Sequence, residues 1–167
     1  SSTSIGIDLT RMLTLYIENT ISLTDYKNKK PKSPYNLIVM IYSKNRGSEE
    51  YNIAGLSNPE LKSSMGFKNL TRKIIIATNV AETGITFPNL EYSVDSCYQN
   101  ILRYNPEDDT QHLIETQISK MSSIQRRGRV GRIFPGHYIP IISKKTYTET
   151  LSEDIPKIQL EDFSPFF

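Results

Sequence analysis

The sequence predicts an α/β fold in which a mostly parallel sheet is flanked by helices on both faces. Apolar runs at 37–42 and 73–77 have the length of buried strands and are too short for helices. At 90–95 apolar and polar residues alternate, as in a strand. Segments of helical character separate these runs. Strands that alternate with helices favour a parallel sheet.

The segments between the strands are assigned in chain order. Leu9, Met12, Leu13, Tyr16 and Ile17 have the spacing of an amphipathic helix. Residues 24–36 contain four lysines and two prolines, which indicates a solvated surface loop. Two short helices are expected at 49–56 and 59–65.

The second half of the chain predicts a β-hairpin and a further helix. Strand-like arms at 101–104 and 112–118 flank the turn formers at 105–109. Ser119 is placed to cap a helix that runs into 125–132. A last strand is predicted at 137–142, where Pro140 indicates a sheet edge or a bulge.

Composition limits the class of protein. A chain of 167 residues is about one domain. Its net charge of +2 gives only weak general attraction to nucleic acid, so the positions of the arginines matter more than their number. The single cysteine, Cys97, excludes an internal disulfide framework and favours a reducing, intracellular compartment. No run is long enough to span a membrane, so no membrane partner is expected.

Two segments carry the chemistry. In the first, the strand at 73–77 leads into a run of small and hydroxyl residues at 78–86, whose amides and hydroxyls suit a phosphate ligand. In the second, four arginines and a glutamine fall within eight residues, with glycines between them: Gln125, Arg126, Arg127, Gly128, Arg129, Gly131 and Arg132. Arginines at this density indicate an anionic target.

These segments resemble motifs V and VI of the superfamily 2 DExH helicases, the group of the DEAH/RHA, flaviviral and poxviral enzymes. The first reads ATNVAETGIT followed by VDS, and the second reads QRRGRVGR. The resemblance implies a RecA-like fold, the second of two motor domains, over residues 1–150, with a protruding hairpin. It also implies that 151–167 leads toward a winged-helix domain, and that a strand precedes Ser1.

The resemblance assigns the nucleotide-binding residues. Gln125 would orient the attacking water or the γ-phosphate, Arg129 and Arg132 would be arginine fingers, and Gly84 and Thr86 would contact the nucleotide. A continuous helix would place Gln125, Arg129 and Arg132 on one face, at i, i+4 and i+7. Arg126 would brace the interface between domains.

The resemblance also assigns contacts to the nucleic-acid backbone. Its candidate residues are Ser1, Ser2, Thr3, Ser43, Thr78, Asn79 and Thr83, with residues 1–4 forming a turn before the first helix. Tyr51 and Phe67 are candidates for stacking on the nucleotide base, although either residue also suits a core. Two residues depart from the family pattern: Gly84 stands where DEAH proteins usually have serine, and Cys97 where the family usually has glycine.

The sequence lacks a G-x-x-x-x-G-K-[ST] loop and a DExH box. ATP, or another NTP, with Mg²⁺ is therefore expected to bind jointly with a first RecA-like domain, and no metal ligand is assigned to this chain. The expected function is part of an ATP-dependent helicase, with RNA favoured over DNA. The alternatives are an NTP-driven remodeller or translocase that does not unwind, and a non-catalytic nucleic-acid-binding module. The mixture of DEAH and viral features points to a viral or parasite enzyme.

Overall fold

The computed structural model of the chain describes residues 2–149 except 106, 108 and 109. The chain divides into two compact units, residues 1–90 and 91–167. Motif V lies in the first unit and motif VI in the second. Each unit is described by itself below.

The first unit contains a three-stranded parallel sheet. Strands β1 (Thr20–Ser22), β2 (Tyr35–Ile41) and β3 (Leu70–Ala77) lie side by side in the order β1-β2-β3. At the carboxyl edge of this sheet, Ile41 of β2 is level with Ala77 of β3. The turns that follow β2 and β3 therefore begin next to each other. In parallel α/β sheets, ligands bind at the turns that follow the carboxyl ends of the strands.

Four helices surround this sheet: α1 (Ser2–Tyr16), α2 (Leu23–Lys29), α3 (Glu49–Gly55) and α4 (Asn58–Ser64). Ser22, Ser48 and Ser57 cap the last three, since each hydroxyl accepts a hydrogen bond from a backbone N–H in the first turn. Helix α2 shows that the predicted loop at 24–36 was wrong over residues 24–29, and β2 already begins at Tyr35. The sequence signal that was missed is the serine cap followed by Asp25, whose side chain accepts a 2.8 Å hydrogen bond from Ser22.

The sheet is covered on both faces. Leu37, Val39 and Ile41 of β2 are fully or almost fully buried in a core that includes Ile53 of α3 and Leu61 of α4. Burial of one such aliphatic side chain stabilises the fold by about 1.5–3 kcal/mol. On the opposite face α1 packs closely, because a Cβ at Gly6 would lie only 3.2 Å from Cε of Met40.

Helix α1 forms where the apolar spacing predicts, but only Leu13 and Ile17 of the five predicted residues are half-buried. Leu9, Met12 and Tyr16 are 42%, 54% and 80% exposed, whereas Gly6 is buried. The predicted turn at residues 1–4 was also wrong over the part that is described, because the helix begins at Ser2. The periodicity identified the helix, but it did not identify the small residue that lets the helix approach the sheet.

The second unit has two small sheets. Strands β4 (Tyr92–Asp95) and β7 (His137–Pro140) pair in parallel. Strands β5 (Tyr98–Asn105) and β6 (Thr110–Gln117) form the predicted antiparallel hairpin. The described part of this unit also contains helices α5 (Lys120–Arg127) and α6 (Lys144–Glu149).

These elements confirm the predicted α/β class. Among the strands that the structure describes, β7 pairs only with β4, so Pro140 lies in an edge strand as predicted. None of the described helices has the length and apolar character needed to cross a membrane. The segment 151–167 lies outside the described residues, and the domain limits of 1–150 and 151–167 stay predictions.

Candidate nucleotide and nucleic-acid site

Motif V is a tight turn that follows β3. Its start is fixed to the sheet because the amide of Thr78 donates a 3.2 Å hydrogen bond to the carbonyl of Ile41. A 3-10 turn (Asn79–Glu82) follows, closed by a hydrogen bond from the amide of Gly84 to the carbonyl of Val80. The turn therefore belongs to the carboxyl edge of the sheet.

Burial separates the motif V side chains into two groups. Val80, Ile85 and Phe87 are buried in the core of the first unit. The residues assigned to ligands lie on the outer side, with Thr78 half-buried and the others exposed: Asn79, Thr83, Gly84 and Thr86. The core residues therefore anchor the turn while its polar residues stay accessible.

The turn after β2 is held with similar rigidity. It is a 3-10 turn (Ser43–Asn45), and the side chain of Asn45 accepts a 2.8 Å hydrogen bond from the amide of Tyr42 and donates one of 3.0 Å to the carbonyl of Met40. Because β2 and β3 are parallel neighbours, Ser43 and Thr78 both follow the same sheet edge. Of the other backbone-contact candidates, Ser2 and Thr3 lie in the first turn of α1, and Ser1 lies outside the described residues.

The two aromatic candidates for base stacking differ in their environment. Phe67 is 3% exposed and stacks on Tyr26, with ring centroids 4.5 Å apart, so it is a core residue. Tyr51 is half-buried, and its hydroxyl donates a hydrogen bond to the carbonyl of Gly84. Tyr51 therefore supports the motif V turn, a contact that the sequence did not predict.

Motif VI begins on α5, which is fixed by its own residues. The hydroxyl of Ser119 caps the helix, as predicted, by accepting a 3.1 Å hydrogen bond from the amide of Ser122. Farther along, a guanidinium nitrogen of Arg126 lies 2.8 Å from the carboxylate of Asp95 and donates to the carbonyl of Tyr98. We therefore find Arg126 bound within its own unit, where the resemblance implied an interface between domains.

Asp95 is the centre of a buried polar network that sequence reasoning missed. Its carboxylate also accepts hydrogen bonds from the amide of Cys97 at 2.8 Å and from the hydroxyl of Tyr138 at 2.6 Å. Burial, followed by the bond to Asp95, raises the pKa of Tyr138, so this phenol stays protonated at physiological pH. The hydroxyl of Ser123 on α5 lies 2.7 Å from that of Tyr147, which links the helix to α6. The signal in the sequence was an acidic residue at a strand end, before an arginine cluster.

The predicted continuous helix through motif VI was wrong. Helix α5 ends at Arg127, and Gly128 is its C-cap. The amide of Arg129 then bonds to the carbonyl of Arg126, and Gly131 has a φ of +74°, a left-handed conformation that suits glycine. Gln125 thus lies on the helix, whereas Arg129 and Arg132 lie in the segment after it. Gln125, Arg129 and Arg132 therefore do not share one helical face.

The individual motif VI side chains still differ in their accessibility. Gln125 and Arg132 are exposed, and Arg129 is half-buried. Nε of Arg132 donates to the carbonyl of Gly128 at 3.3 Å, which satisfies a carbonyl at the end of the helix. This contact uses Nε, and the two terminal nitrogens of the guanidinium belong to an exposed side chain.

The α/β fold and these two motifs are similar to those of the RecA-like domains of helicases. A family profile described as "Helicase conserved C-terminal domain" matches residues 53–134. This match, together with the relatives named below, supports a C-terminal helicase domain of the superfamily 2 DExH type, as the sequence predicts.

Named relatives agree with this family. The chain is 38% identical over 88 residues to the ATP-dependent RNA helicase dhx29 of Xenopus laevis, covering 53% of this chain and 6% of that protein. It is 42% identical over 93 residues to the putative ATP-dependent RNA helicase R366 of Acanthamoeba polyphaga mimivirus, covering 55% and 5%. It therefore spans only a small part of the length of these relatives.

Solved structures show the same fold. The crystal structure of the DEAH/RHA helicase HrpB of Escherichia coli superimposes with a TM-score of 0.68 at 22% identity. A second structure of HrpB, described as a DExH-box NTPase, gives a TM-score of 0.65 at 23% identity. Each covers 99% of this chain, which corresponds to 21% and 20% of the HrpB chain.

Proposed function

We propose that this chain is the second motor domain of an ATP-dependent RNA helicase. The observation that carries the proposal is motif VI itself: a glutamine and two arginines lie on, and directly after, a helix anchored by Asp95. A module that only bound nucleic acid would not need this combination. The similarity to proteins named as ATP-dependent RNA helicases supports RNA as the substrate.

The chemistry assigned to motif VI follows from the charge of a triphosphate. Transfer of the γ-phosphoryl group leaves negative charge on its oxygens, and positioned guanidinium groups stabilise that charge without losing their proton. In this proposal Arg129 and Arg132 supply the guanidinium groups, and Gln125 orients the attacking water or the γ-phosphate.

Motif V is proposed to contact both ligands. Thr78 and Asn79, with Ser43 after the neighbouring strand, would contact the RNA backbone through hydroxyl and amide groups, which position a strand without reading its sequence. Thr83, Gly84 and Thr86 would lie toward the nucleotide, with Thr83 also near the RNA. The anchoring of the turn in the core supports this double role, because a rigid turn transmits a change at one ligand to the other.

The remaining parts of the nucleotide site are assigned elsewhere. The described residues include no group of three or more His, Cys, Asp or Glu side chains that could hold a metal. We assign the phosphate cradle, the Mg²⁺ ligands and the catalytic base to a first RecA-like domain of the same polypeptide. A winged-helix domain would follow this chain.

The proposal is tested by R129A in the full-length enzyme. Loss of an arginine finger should reduce RNA-stimulated ATP hydrolysis about 10³-fold or more, while RNA affinity stays within about twofold. R127A is the matched control, because Arg127 is an exposed arginine at the end of the same helix and has no assigned role. Steady-state phosphate release and RNA binding are measured for both variants.

Two results would contradict the proposal. One is an R129A enzyme that hydrolyses ATP at the wild-type rate. The other is loss of RNA binding with hydrolysis intact, which would indicate a nucleic-acid-binding module instead of a motor.

A further inference from the structure

Gly84 leaves space on the motif V turn that two other side chains use. A Cβ built at Gly84 would lie 2.8 Å from the hydroxyl oxygen of Tyr51 and 3.1 Å from Nη2 of Arg46. A side chain at position 84 would also lie 2.9 Å from the backbone carbonyl of Val80, so it would displace Tyr51 or this carbonyl and press on Arg46. The glycine that departs from the family's serine is thus accompanied by a hydroxyl and a guanidinium brought there from another element.

The backbone on both sides of Arg46 is fixed by hydrogen bonds of the neighbouring residues. Its backbone lies directly after Asn45, whose side chain is bound to the end of β2. On its other side the amide of Ser48 donates to the carbonyl of Asn45 at 3.1 Å, and Ser48 then caps α3. The connection between β2 and α3 is thus held by hydrogen bonds of Asn45, before Arg46, and of Ser48, after it.

The guanidinium of Arg46 is available for a ligand. The residue is exposed, and among the described residues it forms no ion pair. An exposed arginine that forms no ion pair with a described carboxylate suits a phosphate oxyanion, which it can bind through two parallel hydrogen bonds.

The neighbouring groups favour the same class of ligand. Thr83 and Thr86, which flank Gly84 in the motif V turn, are both exposed. Tyr51 fixes this turn by donating a 2.5 Å hydrogen bond to the carbonyl of Gly84, which directs that carbonyl toward Tyr51. The surface around Gly84 therefore presents hydrogen-bond donors and a positive charge.

We propose that Arg46 is a phosphate-binding residue of the motif V turn and that Tyr51 is the positioning residue that holds the turn against it. The inference rests on the proposed function, since it adds a residue to the same site. The ligand is a phosphate oxyanion, which belongs either to the bound nucleotide or to the RNA backbone.

The test uses R46A in the full-length enzyme, with R72A as the matched control. Arg72 is also an exposed arginine, but it lies near the amino end of β3, away from the motif V turn. Affinity for a fluorescent ATP analogue and affinity for single-stranded RNA are measured separately, the latter over a range of salt concentrations. Thermal unfolding midpoints confirm that both variants are folded.

We expect R46A to weaken one of the two affinities about 10-fold or more, R46K to lie between R46A and wild type, and R72A to match wild type. Loss of nucleotide affinity alone assigns the phosphate to the nucleotide. Loss of RNA affinity with a shallower salt dependence assigns it to the RNA backbone.

The proposal for Arg46 is overturned if R46A binds both ligands as tightly as wild type, or if R72A loses as much affinity as R46A. These failures differ from a failure of the proposed function, which would show as a wild-type enzyme without RNA-stimulated ATP hydrolysis.

For Tyr51 the informative variant is Y51F, which keeps the ring and removes the hydrogen bond to Gly84. It should weaken the same affinity as R46A, and the double variant should lose little more than R46A alone, because both residues act on one contact. Additive losses would separate Tyr51 from Arg46 and remove its positioning role.

Discussion

Cys97 has a backbone conformation that is uncommon for a residue with a side chain. Its φ is +61°, in the left-handed region, and its side chain is fully buried. The conformation is held from both sides, because its amide bonds to the carboxylate of Asp95 and its carbonyl accepts from the amide of Ile118. The family's usual glycine at this position agrees with this geometry.

This conformation gives a prediction for substitutions at position 97. The left-handed conformation costs a non-glycine residue about 1–2 kcal/mol, whereas the greater freedom of glycine in the unfolded chain costs about 0.5–1 kcal/mol. C97A and C97G both lose the buried thiol, but only C97G removes the strain. We expect C97G to be more stable than C97A by about 0.5–1 kcal/mol, measured by urea unfolding. A C97A protein that is the more stable of the two would show that the strain is absent.

For individual residues, the sequence assigned candidate ligand-contacting residues and missed the contacts that support them. The motif assigned Gln125, Arg129 and Arg132, because glutamine and arginine side chains have the donors that a triphosphate needs. Tyr51 and Asp95 were not assigned a supporting role, because each acts through a partner more than 20 positions away. Such pairs become visible only when the chain is folded.

Helix α3 depends on a side chain that belongs to β3. Nζ of Lys73 donates hydrogen bonds to the carbonyls of Ile53, Ala54 and Leu56, at the carboxyl end of the helix. The last carbonyls of a helix lack amide donors farther along it, and of these three the carbonyl of Ile53 also accepts a 3.4 Å hydrogen bond from the amide of Leu56, the C-cap residue. Lys73 therefore joins the helix that carries Tyr51 to the strand that leads into motif V.

Removal of this lysine should destabilise the first unit. K73M leaves buried carbonyls without a donor, which costs about 1–3 kcal/mol. K62M, at an exposed lysine on α4, is the control and should stay within about 0.5 kcal/mol of wild type. Denaturant unfolding measures both, and equal stabilities for the two variants would contradict the capping role.

The same lysine should make stability depend on pH. Burial lowers the pKa of Lys73 from 10.5 to about 8. Between pH 8 and pH 10.5, Lys73 therefore binds more protons in the unfolded chain than in the folded chain. Over this interval the contribution of Lys73 to the free energy of unfolding increases with pH. Between pH 8 and 9.5, below the usual range of tyrosine, the slope for wild type should exceed that for K73M. Parallel slopes would show that this titration does not contribute.

Helix and strand positions were largely predictable because local patterns determine them. The strands at 35–41 and 70–77 and the hairpin were anticipated from apolar runs and turn formers. The buried face of α1 and the end of α5 were not, because packing against Met40 and the turn after Arg127 depend on distant residues or on backbone closure. Apolar periodicity therefore predicts that a helix or strand exists, whereas tertiary contacts determine where it ends and which face it buries.

At the scale of the whole chain, the absence of a P-loop sequence leads to a functional prediction. The isolated chain should release no phosphate from ATP above the buffer rate, with or without RNA, because its sequence contains no P-loop and no DExH box. A sensitive phosphate-release assay on a highly purified sample tests this. RNA-stimulated turnover that co-purifies with the chain and disappears in R129A would refute it.

The loop after motif VI is closed by two glycine backbones in direct contact. A Cβ at Gly136 would lie 2.5 Å from the amide nitrogen of Gly131 and 2.9 Å from its Cα. The base of this loop is therefore intolerant of any methyl group, whereas Ile133 and Phe134 at its tip are 63% and 61% exposed. In a saturation library selected for function, substitutions should be frequent at Ile133 and Phe134 and rare at Gly131 and Gly136. The backbone closure next to Arg132 would then be the same in all functional variants.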